Sequence, residues 1–241
     1  MPRSPEDNQE IRSARCEAII AAATRVFTAK GFTRAKVGEI AKEAGLSHGL
    51  VYHYFPSKDA VLAAIAHRMM AEIDREMDTP AERALDKLLA AMTRHHARLD
   101  GPVNEMRVMM QAVLEGTIPI DVKTDLRAHF RRIYDRLAGW IEEAQREGDI
   151  EADLPADELA GGLMSMFRGM SMRLPGLERL PFEPPTTRTI TRMLCLTESG
   201  RARLDTLTAA PEKPARPTKR TAKPPADAKR PRGARKTPKH G

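Results

Sequence analysis

Aromatic residues are scarce in this 241-residue sequence, with three Tyr, one Trp and six Phe. Cysteine is scarcer still. Cys16 and Cys195 are too few for a disulfide framework and match no metal-ligand spacing, so two packed thiols in a reducing compartment are expected. Long apolar runs are missing: the longest, Ala60 to Ala66, falls far short of the ~20 residues that cross a bilayer. The opening MPRSPEDNQE carries charge where an export signal needs an apolar segment, so a cytoplasmic protein without a membrane partner is expected. Strand-like alternation bounded by Asn-Gly or Asp-Gly turns is absent as well. So are a glycine-rich phosphate loop, a metal-ligand spacing and a nucleophile elbow; the pairs Glu142-Glu143 and Asp157-Glu158 are adjacent on a helix rather than facing. These gaps argue against an enzyme and call for no metal or cofactor.

What is present is helical. Ala, Leu, Glu, Arg and Met dominate from Glu10 to about Thr197, which predicts an all-α fold of about nine helices. Ile19, Ala23, Val26 and Phe27 give the first helix one buried stripe, stopped at Lys30-Gly31. Short helices at about 37–44 and 47–54 follow around Gly45, and a fourth opens after Pro56-Ser57, with Ser57 as its cap, and runs to about Met77. Pro and Gly punctuation marks five more, at roughly 81–99, 103–115, 120–147, 156–173 and 185–198. The net charge of +7 is uneven: residues 1–60 hold 9 Lys/Arg against 7 Asp/Glu, residues 61–210 hold 20 against 24, and residues 211–241 hold 11 against 2. Only the two ends have electrostatic reason to meet phosphate.

Residues 36–55, KVGEIAKEAGLSHGLVYHYF, have the packing logic of a helix-turn-helix. Val37, Ile40, Ala41 and Ala44 give the first helix an inner face, Gly45 supplies the turn, and Leu46 and Val51 close the core behind the second. With Val51 inside, His48, Gly49, Leu50, Tyr52 and His53 point outward on a helix that fits the major groove. The wider order Ile19-Ile20, Ala23, Phe27, Gly31-Phe32, Val37, Ile40-Ala41, Ala44-Gly45-Leu46-Ser47, Gly49, Val51-Tyr52, Phe55, Ser57-Lys58 and Leu62 resembles the N-terminal domain of the tetracycline-repressor (TetR) family. The likeness covers about residues 10–65.

The resemblance implies base reading by His48, Gly49 and Leu50 behind the Ser47 cap, and phosphate contacts from Tyr52, His53, Tyr54 and Lys58. Tyr54, three residues after Val51, has packing against Phe55 as its alternative. Two positions depart from the family pattern. Lys36 stands where a capping Ser or Thr is usual; it reaches phosphate as a point charge but cannot accept a cap bond. Gly38 has no side chain to offer a base, so readout leans on His48 and Leu50.

A helix-turn-helix monomer makes few contacts, so a homodimer on a palindromic operator is expected. The resemblance places the dimer interface on the eighth and ninth helices, through Leu159, Leu163, Met166, Met170, Ile190 and Leu194; their periodicity would equally suit an intramolecular core. Between head and interface lie helices rich in Met: Met92, Met106, Met109 and Met110, then Met164 and Met172. Such residues line adaptable apolar pockets or fill cores. If a cavity exists, Met106, Met110, Phe130, Trp140 and Phe167 line it, with Arg107, His95 or His96 as polar anchors, for an unidentified small apolar or amphipathic effector.

The domain plan is a DNA-binding head at 10–56, a helical effector-binding and dimerisation body at 57–199, and a disordered Lys/Arg/Pro-rich tail at 200–241. The function that follows is sequence-specific regulation of transcription, as a repressor released by its effector. The competing reading is a weakly specific architectural DNA-binding protein dominated by its basic tail.

Overall fold

Capping side chains mark four of the helix starts in the computed structural model, which describes residues 5–99, 105–171 and 185–209. Ser47 accepts from the Leu50 N–H at 3.2 Å and Ser57 from the Ala60 N–H at 3.0 Å, each satisfying an N–H that the first helical turn leaves free. The described residues form ten helices: α1 (Pro5–Lys30), α2 (Val37–Glu43), α3 (His48–Tyr54), α4 (Lys58–Met77), α5 (Ala84–Leu99), α6 (Glu105–Leu114), α7 (Ile120–Arg146), α8 (Ala156–Ser171), α9 (Thr187–Arg192) and α10 (Glu198–Thr208). No strand occurs among them, and none is long and apolar enough to cross a membrane.

The first three helices make the head. α1 buries Ile19, Ala22, Ala23 and Phe27 against Ile40 and Ala41 of α2 and Val51 of α3. It stops where Gly31 takes φ +79°, a left-handed conformation that costs glycine little. α4 carries the chain out of the head on one continuous stripe, Leu62, Ile65, Met69 and Ile73, and packs on α5, α6 and α7. α7 turns Leu126, Ile133, Leu137 and Ile141 inward, and α8 lies along it.

Two expectations are corrected here. The stretch expected as a single ninth helix breaks at Met193, passes through Cys195 at φ +54°, pairs Leu196 with Ile150 in a one-residue bridge and restarts as α10. The first ten residues assigned to the tail, 200–209, therefore belong to the folded body. Thr197 caps α10 through the Gly200 N–H, Leu204 is fully buried, and Arg203 holds Asp86 of α5 with both Nε and Nη2. Gly200 lies so close to the loop after α7 that a Cβ would fall 2.0 Å from the Asp149 carbonyl oxygen. The expectations for residues 210–241, and for Met172, lie outside the described residues.

The second correction concerns the dimer face. Leu159, Leu163, Ile190 and Leu194 retain 8%, 2%, 0% and 3% of their exposure within a single chain. They are intramolecular core, because α8 turns this stripe onto α7 and α9 turns its own onto α5. Burial on this scale leaves them nothing to offer a second copy, whereas Met166 and Met170 stay half-buried.

Candidate DNA-reading site and internal cavity

At the N-terminus of α2 an acid does the capping that Lys36 cannot. Glu39 accepts from the Lys36 N–H at 3.1 Å and from Lys30 Nζ at 2.6 Å. The Lys30 bond first, and the Lys36 N–H second, hold its carboxyl below the usual carboxylate range. Only the reciprocal half of a capping box is therefore present. The Lys36 side chain stays exposed.

On α3, His48, Gly49, Tyr52 and His53 are exposed, Leu50 and Tyr54 half-buried and Val51 fully buried, so the outward face is the one expected. The His48 ring meets Tyr52, one turn on, edge to face at 4.9 Å. It also passes Gly38, where a Cβ would stand 3.7 Å from His48 Cδ2. That is ordinary van der Waals contact, so the His48 ring does not itself require glycine at position 38. Tyr54 packs on the core as well as against His53 at 5.3 Å, and the Arg12 guanidinium lies 5.7 Å from the centre of its ring.

Lys58 departs from expectation. Its ammonium is turned inward and donates to the Phe32, Ala35 and Thr33 carbonyls at 2.8, 3.2 and 3.3 Å, over the Phe32 ring at 4.4 Å. A lysine with three carbonyl acceptors is a latch on the α1–α2 loop rather than a free phosphate contact, and that expectation is corrected.

Within the body, α4, α5, α6, α7 and α8 enclose a partly open cavity of about 500 Å³. Met106, Met110, Phe130, Phe167 and His95 line it as expected, with Ile73, Met77 and Met109 among the other apolar walls. Arg107, Trp140 and His96 do not. Trp140 sits beyond Leu137 on α7 and packs on the core, and Arg107 is on the flank of α6 away from the lining stripe. Val113 and Leu114, 53% and 67% exposed, join Ser165 and Arg168 at the outer side.

The polar corner of the cavity holds a residue that the sequence reading missed, Glu76. Burial pushes its carboxyl up, but hydrogen bonds from His95 Nδ1 at 2.8 Å and Arg98 Nε more than offset this and leave it below the usual range. The signal was available: Glu76 is an acid three residues after Ile73 on the buried stripe of α4.

One helix touches both regions. α6 lines the cavity with Met106, Met109, Met110, Val113 and Leu114. At its start Glu105 pairs with Arg68 at 2.5 Å, and Arg68 also reaches Glu17 and Thr24 of α1. Just past its end, Glu115 accepts from Thr33 Oγ1 at 2.9 Å, and Gln111 and Glu115 crowd Gly31.

Comparison with known proteins identifies the head: residues 19–65, from the middle of α1 to the start of α4, match the model of bacterial regulatory proteins, tetR family. The head is of the tetR family. Among curated family members it is 23% identical over 167 residues to the HTH-type transcriptional regulator BetI of Brucella canis, spanning 68% of this chain and 81% of that protein. Its fold is that of AibR in complex with isovaleryl coenzyme A and operator DNA, with TM-score 0.57, 20% identity and coverage of 75% and 96%. It is also that of the transcriptional regulator FadR from Bacillus subtilis in complex with stearoyl-CoA, with TM-score 0.58, 18% identity and coverage of 76% and 98%. Like its family, the chain is a DNA-binding transcriptional regulator and not an enzyme.

Proposed function

We propose that the protein is a homodimeric repressor that reads a palindromic operator through α3 and leaves it when an apolar or amphipathic effector fills the α4–α8 cavity. The observation that carries this reading is the double duty of α6, whose one face walls the cavity while Glu115 just past its end holds Thr33 of the head and Glu105 at its start holds Arg68 of α4, which reaches Glu17 and Thr24 of α1. An occupant that shifts α6 changes Thr33 and Arg68 together, and through them the loop that starts α2. His48 and Leu50 read bases, with Ser47, Gly49, Lys36, Tyr52, His53 and Tyr54 positioning the helix on the backbone. The dimer forms through the outer face of α8, where Gly162, Ser165 and Gly169 are exposed beside Met166 and Met170.

The effector class is an acyl chain on a polar head. The cavity volume falls within the ~300–1,000 Å³ usual for small-molecule sites. Its walls are almost wholly apolar, and each methylene buried there contributes about 0.8 kcal/mol. Two structurally similar regulators hold acyl coenzyme A thioesters. A hundredfold release from DNA requires the effector to favour the released state by about 2.7 kcal/mol.

The test combines genomic footprinting, to obtain bound sites, with thermal melting and gel shifts in the presence of isovaleryl-CoA, stearoyl-CoA and the matching free acids. The expected result is discrete palindromes, a raised melting temperature and loss of the gel shift with at least one acyl ligand. Protection without a palindrome would overturn the repressor reading in favour of an architectural one. Palindromic sites insensitive to every acyl ligand would overturn the effector class.

A further inference from the structure

The inward turn of Lys58 takes away the cation that the family pattern offers at the end of the reading helix. Another cation stands there. The buried stripe of α1, followed backwards from Phe27 through Ala23 and Ile19 at steps of four, continues to half-buried Cys16 and then to Arg12. At Arg12 the helix has outrun the core of the head, and residues 9–15 are all exposed. What lies opposite Arg12 is α3: its guanidinium sits over the Tyr54 ring at 5.7 Å, within the ~6 Å at which a cation and a ring attract.

A helix in the major groove has a phosphate strand along each wall, and its last turn meets one of them. Tyr54 is the final residue of α3. A guanidinium set over its face combines a defined position with the fork geometry that suits phosphate oxygens. We propose that Arg12 is a phosphate contact of the reading head, held in place by the Tyr54 ring, and that it supplies the charge at this end of α3. This does not depend on the effector, on the dimer or on which bases are read.

The test uses the full-length protein and a 30-base-pair duplex of random sequence, with affinity measured by anisotropy across a salt series. Each neutralised phosphate contributes about 0.9 to the slope of log K against log salt, so Arg12→Ala should lower the slope by about 0.9 for each protomer bound. The same figure predicts an affinity loss of about eightfold at 0.1 M salt. Arg12→Lys should keep the slope, because the charge remains. Arg131→Ala, an exposed arginine of α7 paired with Asp135, should leave it unchanged and serves as the control. Arg12→Gln preserves most of the stem and replaces the alanine variant if that one melts early. A slope equal to wild type in a folded Arg12→Ala or Arg12→Gln protein would overturn the proposal, leaving the Arg12–Tyr54 contact as packing alone.

Discussion

Replacing Lys58 by Met separates the two roles open to that side chain. Methionine keeps most of the stem over the Phe32 ring but removes the ammonium, so the Phe32, Thr33 and Ala35 carbonyls lose their shared donor. Hydrogen bonds to a charged group contribute roughly 1.5–3 kcal/mol each, but one ammonium dividing itself over partly solvated carbonyls delivers about 2 kcal/mol in all. Loss of the cation–ring contact adds about 0.5–1 kcal/mol. The total, about 3 kcal/mol, corresponds to a melting temperature lower by about 6–12 °C for a chain of this size. Scanning calorimetry at pH 7 measures this, and the salt series on random duplex measures charge at the DNA surface. A latch predicts an early melt with an unchanged salt slope, provided the slope is taken below the new melting range. A phosphate contact predicts the reverse, an unchanged melt and a slope smaller by about 0.9 for each protomer. That reverse pattern would refute the inward assignment of Lys58.

Gly200→Ala places a Cβ 2.0 Å from the Asp149 carbonyl and must push α10 off the body; a loss of about 2–3 kcal/mol in urea denaturation is expected, and a loss under ~0.5 kcal/mol would show that the contact is slack. His129 is fully buried on α7, and among the described residues its Nε2 has no hydrogen-bond partner. Burial, with help from Arg132 and against Asp74, lowers its pKa from the ordinary 6.5. The unfolded chain therefore takes up the proton first as pH falls, and stability drops below about pH 6.5. His129→Leu should flatten the change in urea midpoint between pH 7.5 and 5.5, and an unchanged dependence would assign it elsewhere. The two faces of α8 are told apart by Leu163→Ala and Gly162→Arg. The first should cost about 2–4 kcal/mol of folding stability. The second finds open space within the chain, so it should spare the monomer fold yet shift sedimentation from dimer to monomer.

What was legible in the sequence was what is local. The buried stripe of α1, the Gly45 turn and the caps at Ser47 and Ser57 depend on residues within four positions of one another, and the structure shows each of them. Five of the eight residues named for the cavity line it, four of them named because Met and Phe at helical spacing mark an apolar face, whichever neighbour it meets. The misses are all contacts across the chain. The direction of Lys58 is set by carbonyls more than twenty residues upstream, and the Glu76 corner is completed by His95 and Arg98 on another helix. The stripes of α8 and α9 were read correctly as apolar, but periodicity does not say whether an apolar face meets its own chain or a copy. α10 was hidden because Gly200 looks like a helix breaker when it is a point of close approach, and because Leu204 has no aromatic company.

The sequence suggests a clean joint after Phe55, where the head's helix-turn-helix ends and α4 begins. Glu115 and Arg68 say otherwise, since they tie the body back across that joint to Thr33 and to Glu17 and Thr24 of α1, with Glu105 holding Arg68 from behind. A graft of this head onto another regulator's body, cut at the visible joint, would carry Thr33 away from its acceptor while leaving Arg68 and Glu105 behind together. The head would also lose Lys58, and with it the donor that the Phe32, Thr33 and Ala35 carbonyls share. On the proposed reading, the unit that responds is therefore the head together with the residues outside it that hold it, Lys58, Arg68 and Glu115.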